Sequence, residues 1–160
     1  MLVELAAAPA TSEPTAQPLV RAATHADIAE CLPMARSFFD ESGMAGVTEY
    51  DQGCAIATLR QLIDSRHGAL FVAGSDRLVG MAGALAYPMY FNTAHLSAQE
   101  LFWWVAPERR GGTVGVRLMQ ALEKWARGMG CRTLTMVCLP IDGPAQSHYA
   151  RNISATFGAK

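Results

Sequence analysis

No apolar run in this 160-residue chain approaches the roughly 18 residues that a membrane-spanning helix needs, so no membrane role is expected. It has no C-x-x-C pair, and no histidine lies at zinc-finger spacing from Cys31, Cys54, Cys131 or Cys138. That excludes the common structural zinc modules and the dithiol redox motif, and no metal is expected. The cysteines read as buried or half-buried free thiols in a reducing cytosol, and the expected location is cytoplasmic. Met1 to Pro18 is rich in Ala, Pro, Thr and Ser but lacks the charged start and long apolar core of a secretory signal. It reads as a flexible extension, residues 1–17, ahead of one domain at 18–160. A strong net charge is also missing: the formal value is −1. With no basic excess and no recognition motif, nucleic acid is a poor partner. There are no internal repeats.

What is present is an ordinary globular composition, 51% hydrophobic and 17% charged, with enough residues for a sizeable core. The charge is unevenly spread. Residues 1–100 carry 11 acidic and 5 basic side chains; residues 101–160 carry 3 and 8. A polyanionic ligand would favour the C-terminal part. The acidic part, with Asp40, Glu41, Glu49 and Asp51, would suit a cationic amine.

Hydrophobic periodicity and turn residues predict a definite order of elements. Pro18–Thr24 reads as a first strand, and Thr24 with Asp27 as the start of a helix. That helix carries Ile28, Cys31, Leu32, Ala35, Phe38 and Phe39, with a kink or early stop expected at Pro33. Asp51–Ser65 reads as a second helix, with Ala55, Ile56, Leu59, Leu62 and Ile63 on one face. Gly68–Gly74 and Leu78–Tyr87 read as a hairpin, Pro88–Ser97 as a loop, and Glu100–Val105 as an aromatic strand. Helix Val114–Gly128 shows Leu118, Leu122, Trp125 and Met129 at spacings of four, three and four. Arg132–Cys138 alternates as a strand, and Ala145 to about Ser154 reads as a last helix. Strands and helices in this order imply a mixed sheet covered on both faces.

The densest chemical signal is Val105-Ala-Pro-Glu-Arg-Arg-Gly-Gly-Thr-Val-Gly-Val116, which joins the aromatic strand to the amphipathic helix. Glycine has no side chain to keep a phosphate oxygen from the backbone amides. The helix start adds four unpaired N–H donors and a partial positive charge. Gly111, Gly112, Thr113, Val114 and Gly115 are therefore the expected cradle of a diphosphate. Arg109, Arg110 or Arg117 would pair with phosphate oxygens. A nucleotide-hydrolysing loop is excluded because the Gly-Lys-Ser/Thr ending is missing. A dinucleotide-binding fold fits little better, since G-x-G-x-x-G spacing is absent.

Over about residues 18 to 152 this order, with its arginine–glycine turn, resembles the GNAT superfamily of acetyl-CoA-dependent N-acetyltransferases. The family signature, [Gln/Arg]-x-x-Gly-x-[Gly/Ala], falls on Arg110-Gly111-Gly112-Thr113-Val114-Gly115, with Thr113 where the middle glycine stands. The resemblance implies an α/β (α+β) fold with a mixed, mostly antiparallel central sheet and helices on both faces. It also implies acetyl-CoA as co-substrate, held by the glycine loop and by a slot between splayed fourth and fifth strands. Trp103, Trp104 and Val105 would form one wall of that slot, and Val137 and Cys138 the other.

For catalysis the resemblance places Glu100 as base at the start of the aromatic strand, with His95 as a second candidate. Val105 N–H is the oxyanion donor. Tyr149 is the acid for the leaving thiolate, although the family's following Gly-Phe pair is absent here. The acceptor is expected to be a small-molecule or peptide amine, shaped by the first two helices and the Pro88–Ser97 loop. Family members usually continue past the last helix into further strands, and here room remains for about one short strand. Shortened C-terminal strands and a homodimer are therefore expected. The competing expectation is a shortened GNAT-like domain that binds CoA or a partner with little catalysis.

Overall fold

The computed structural model describes residues 19–136 and the two-residue strand Ala155–Thr156. The elements run β1 (Val20–Ala22), α1 (Ile28–Glu41), α2 (Gln52–Asp64), β2 (Gly68–Gly74), β3 (Leu78–Met89), β4 (Asn92–Val105), α3 (Val114–Gly128), β5 (Cys131–Thr135) and β6 (Ala155–Thr156). The strands form one sheet in the order β1-β2-β3-β4-β5-β6. Every neighbouring pair is antiparallel except β4–β5, which is parallel. The helix α3 is the crossover that a parallel pair requires.

The two sheet faces carry two core clusters. On one, α3 presents Val114, Leu118, Leu122 and Ala126, four residues apart and at most 4% exposed. Two fully buried leucines contribute about 1.5–3 kcal/mol each. Small residues on β3 let this helix come close: a Cβ on Gly80 would lie 3.1 Å from Leu118 Cδ1. On the other face, Ile28, Cys31 and Met34 of α1 and Leu59 and Leu62 of α2 pack against Leu70, Val72 and Met81. Burial pushes the Cys31 thiol up to about 12. Cys54 is exposed, contrary to the expectation of buried or half-buried thiols.

Two expectations about elements are corrected. α1 runs through Pro33 without stopping. The proline forfeits an amide bond, but Cys31 and Met34 on either side are buried against the sheet and hold the helix. Asp27 anchors its start: it is only 7% exposed. It receives both Arg21 guanidinium nitrogens at 2.7 Å and the Thr24 amide at 2.7 Å. The Arg21 guanidinium holds its carboxyl far below the usual range, against the opposing cost of burial. Finally, Pro88–Ser97 is no loop. β3 continues to Met89, turns at Tyr90-Phe91, and β4 begins at Asn92. The predicted last helix lies outside the described residues.

Candidate active site

β4 is the strand on which the site is built. Its register against β3 pairs Ala84 with Glu100 but Gly83 with Phe102, so Leu101 is an extra residue, a β-bulge. Packing shows the consequence. Ala98, before the bulge, belongs to the cluster under α3. After it, Trp103 and Val105 face α3, while Phe102 packs with the α1–α2 cluster.

The backbone follows the same shift. Ala106 N–H donates to Val79 O at 2.9 Å, so the residues facing β3 alternate back from there: Ala106, then Trp104, then Phe102. Trp103 and Val105 turn their backbone groups to the opposite edge. β5 pairs with that edge only from Leu96 to Gln99. From Glu100 to Val105 no described strand covers it.

Beyond Val105 the chain makes a short 3-10 turn, Pro107–Arg109, and reaches Gly111 with φ +79°. A left-handed residue here requires glycine. Gly112 is different: a Cβ there would meet only Arg109 O, at an ordinary 3.5 Å. Among the described residues nothing demands glycine at 112. Gly115 is tight, because a Cβ would lie 3.0 Å from Trp103 Cζ2. Thr113 stands at the N-cap of α3 without a side-chain cap. The first helical bond, Arg117 N–H to Thr113 O at 3.0 Å, leaves the preceding amides without helical partners. Among the described residues, an unpaired stretch of strand edge thus leads directly into a cluster of amide donors.

A family model described as the acetyltransferase (GNAT) family matches residues 31–153. The chain belongs to the GNAT acetyltransferase family. No curated protein sequence matches it. Among solved structures it is similar to AAC(6')-Iy in complex with the bisubstrate analogue CoA-S-monomethyl-acetylneamine, with a TM-score of 0.69 and 17% identity over 91% of this chain and 99% of that one. It is also similar to a ribosomal-protein-alanine N-acetyltransferase from Brucella melitensis biovar Abortus 2308, with a TM-score of 0.66 and 17% identity over 89% and 95%. A third is an acetyltransferase with acetyl-CoA from Clostridium acetobutylicum, with a TM-score of 0.65 and 15% identity over 84% and 89%. At these identities the likeness shows the GNAT fold: a mixed, mostly antiparallel sheet with helices on both faces.

Against this GNAT frame the expected site residues fall into three groups. Gly111, Gly112, Thr113, Val114 and Gly115 lie together at the start of α3, beside Val105. Glu100 is not at the start of a strand. It lies deep in β4, next to the bulge, and is only 3% exposed. Tyr149, Val137 and Cys138 lie outside the described residues.

Two residues behave differently from expectation. The Trp104 backbone faces β3, so the open edge is formed by Trp103 and Val105 instead. The Arg110 guanidinium is engaged within the protein. It donates through Nε to Val105 O at 2.8 Å, pairs with Glu41, and lies 5.8 Å from the Trp104 ring centre. Arg109 and Arg117 flank the glycine loop on its two sides. Arg109 is exposed and lines a hollow of about 370 Å³ with Gly74, Arg77 and Glu108, apart from the β4 edge.

The acceptor expectations change as well. His95 lies within β4, five residues before Glu100, a separation of roughly 17 Å along a strand. The two candidate bases therefore stand at different positions along β4. The Tyr90–Phe91 tip is farther still, so this hairpin does not line a site near Glu100. Of the four acidic residues expected to attract an amine, Asp40 pairs with Arg36, Glu41 with Arg110, and Asp51 caps α2 through the Cys54 amide at 2.7 Å. Glu49 is exposed. Among the described residues no cluster of His, Cys, Asp or Glu is placed to hold a metal. No described helix is long and apolar enough to cross a membrane.

Proposed function

We propose that this chain transfers the acetyl group of acetyl-CoA to a primary amine by direct attack within a ternary complex. The observation that carries the reading is the β4 edge from Glu100 to Val105, which no described strand covers, running into the uncapped start of α3 through a glycine loop. Gly112 supports the fit: no described residue needs its lack of a side chain, which leaves the amides open to a phosphate. Acetyl-CoA, when bound, supplies an activated thioester acyl group.

The remaining roles belong to this chain. The amides of Gly111 to Gly115 hold the diphosphate. The Trp103 and Val105 edge receives the pantetheine arm, with Cys138 on the opposite wall. Val105 N–H donates to the developing oxyanion. Glu100 takes the proton of the attacking amine, and Tyr149 returns one to the leaving sulfur. Residues 18–160 act as one domain, with 1–17 as an extension. The acceptor is a small-molecule or peptide amine, a class supported by the acetylneamine analogue bound to the solved relative in fold.

Calorimetric titration of the purified chain with acetyl-CoA and with dephospho-CoA tests the reading, followed by thiol release with a panel of amines. Micromolar binding of acetyl-CoA, weaker for dephospho-CoA, is expected if Arg109 or Arg117 meets the 3′-phosphate. Binding without turnover of any amine would favour a CoA-binding domain with little catalysis. Folded protein that binds neither ligand refutes the site.

A further inference from the structure

Glu41 is the last residue of α1, yet both its carboxylate oxygens act on the other side of the site. Oε1 accepts the Trp104 indole N–H at 3.2 Å, and Oε2 accepts an Arg110 N–H. Arg110 completes the ring by donating to Val105 O and stacking toward Trp104. Four groups, from the end of α1, the end of β4 and the residue before the glycine loop, are thus tied together. The tie contributes little to the core. The Glu41 and Arg110 side chains are 38% and 44% exposed, and exposed ion pairs add little to stability.

Its position is what distinguishes it. Directly after Glu41 the chain turns through Ser42, which is buried, and Gly43, with φ +76°. It then forms the short turn Met44–Gly46 that leads to α2. Phe38 of the same helix end lies 6.2 Å from the Phe102 ring on β4. Directly after Arg110 begins the loop assigned to the diphosphate. A restraint on that loop is a restraint on Arg110, hence on Glu41, and hence on the α1–α2 segment.

We propose that Glu41 is a positioning residue that couples occupancy of the glycine loop to the order of the α1–α2 segment, so that acetyl-CoA prepares the wall that receives the amine. This rests on the acetyl-CoA site proposed above. By linkage the coupling is reciprocal: an amine that orders the wall tightens the cofactor by the same factor.

Hydrogen exchange of the full chain, with and without saturating acetyl-CoA, tests this. Peptides covering 105–117 report on the cofactor loop, and peptides covering 38–50 report on the tie. In the unaltered protein both slow, the second by about threefold to fivefold, the scale of one exposed ion-pair network. In Glu41→Gln and in Trp104→Phe, which keeps an aromatic ring but loses the indole N–H, 105–117 still slows. There the response of 38–50 falls below about twofold. Unchanged exchange across α3 confirms that each variant is folded. The proposal is overturned if 105–117 slows in the unaltered protein and 38–50 does not, or if 38–50 responds equally in both variants. If 105–117 itself fails to respond, the cofactor reading falls, and the coupling with it.

Discussion

Substituting Gly112 with aspartate should move stability and affinity in opposite directions. The structure leaves room for the side chain, since a Cβ there is 3.5 Å from its nearest neighbour. A carboxylate just before the α3 start complements the helix dipole, and losing glycine's freedom in the unfolded chain helps further. The expected gain is about 0.5–1 kcal/mol, or roughly 1–4 °C in Tm. The same carboxylate would face the diphosphate. Two like charges about 4 Å apart repel by roughly 4 kcal/mol at an effective dielectric near 20, and salt screens part of this. Acetyl-CoA affinity should therefore fall by at least about a hundredfold. Gly115→Ala is the internal comparison. The family signature admits alanine at this position, but here the new Cβ would press on Trp103 at 3.0 Å. A loss of about 1–3 kcal/mol is expected. Thermal unfolding without ligand and calorimetric titration give both quantities. Gly112→Asp that destabilises the free protein, or that binds acetyl-CoA within threefold of normal, would refute the assignment of this loop.

Glu100→Gln should lower kcat by roughly a hundredfold or more while leaving the acetyl-CoA Kd within about twofold, since Glu100 is assigned to proton transfer and not to the diphosphate. An unchanged kcat would remove it as base. Asp27→Asn should cost about 2 kcal/mol at pH 7, measured by urea denaturation. Because the folded carboxyl is depressed, its stabilising effect is fully present above the unfolded value near 3.9 and is lost as pH falls through the folded value. The gap between the two proteins should therefore narrow below about pH 4, and a constant gap would show that the Arg21 pairing is not its source. In native protein a thiol reagent should modify the exposed Cys54 and spare Cys31, which is buried and raised to about 12. Peptide mapping that finds Cys31 labelled first would contradict the described core.

Much of the fold was legible because its signals are local and strong. Helix α3 is bounded by glycines and carries a clear apolar row, and its range matches expectation. β2 lies within glycines at both ends. The β3–β4 hairpin was missed for equally physical reasons. Its turn, Tyr90-Phe91, is not a glycine or asparagine turn, and among the described residues only glycines have a positive φ. Pro88 breaks the strand pattern, and the register does shift between Pro88 and Met89. The partners of Glu41 and Arg110 were also hidden. Sequence shows both charges but not that 69 residues of chain fold back to join them.

The bulge at Leu101 sets the orientation of Trp104 and also explains how the site is assembled. Alternation extrapolated upward from Ala98 and Glu100 puts Phe102 and Trp104 on the face under α3. The bulge at Leu101 inserts one residue, and a one-residue shift exchanges the two faces and the two edges of everything beyond it. Trp103 and Val105 consequently face α3, where Gly115 makes room for the indole, and their backbone groups turn to the uncovered edge. Trp104 is sent to the other face, within reach of Glu41 on α1. In a regular strand Glu100 and Val105, five positions apart, would lie on opposite faces. With one extra residue between them they are in phase. Both therefore present the face of the strand that lies under α3. Both the composition of the strand and its aromatic run are visible in the sequence, but the bulge that sets their phase is decided only by pairing with β3.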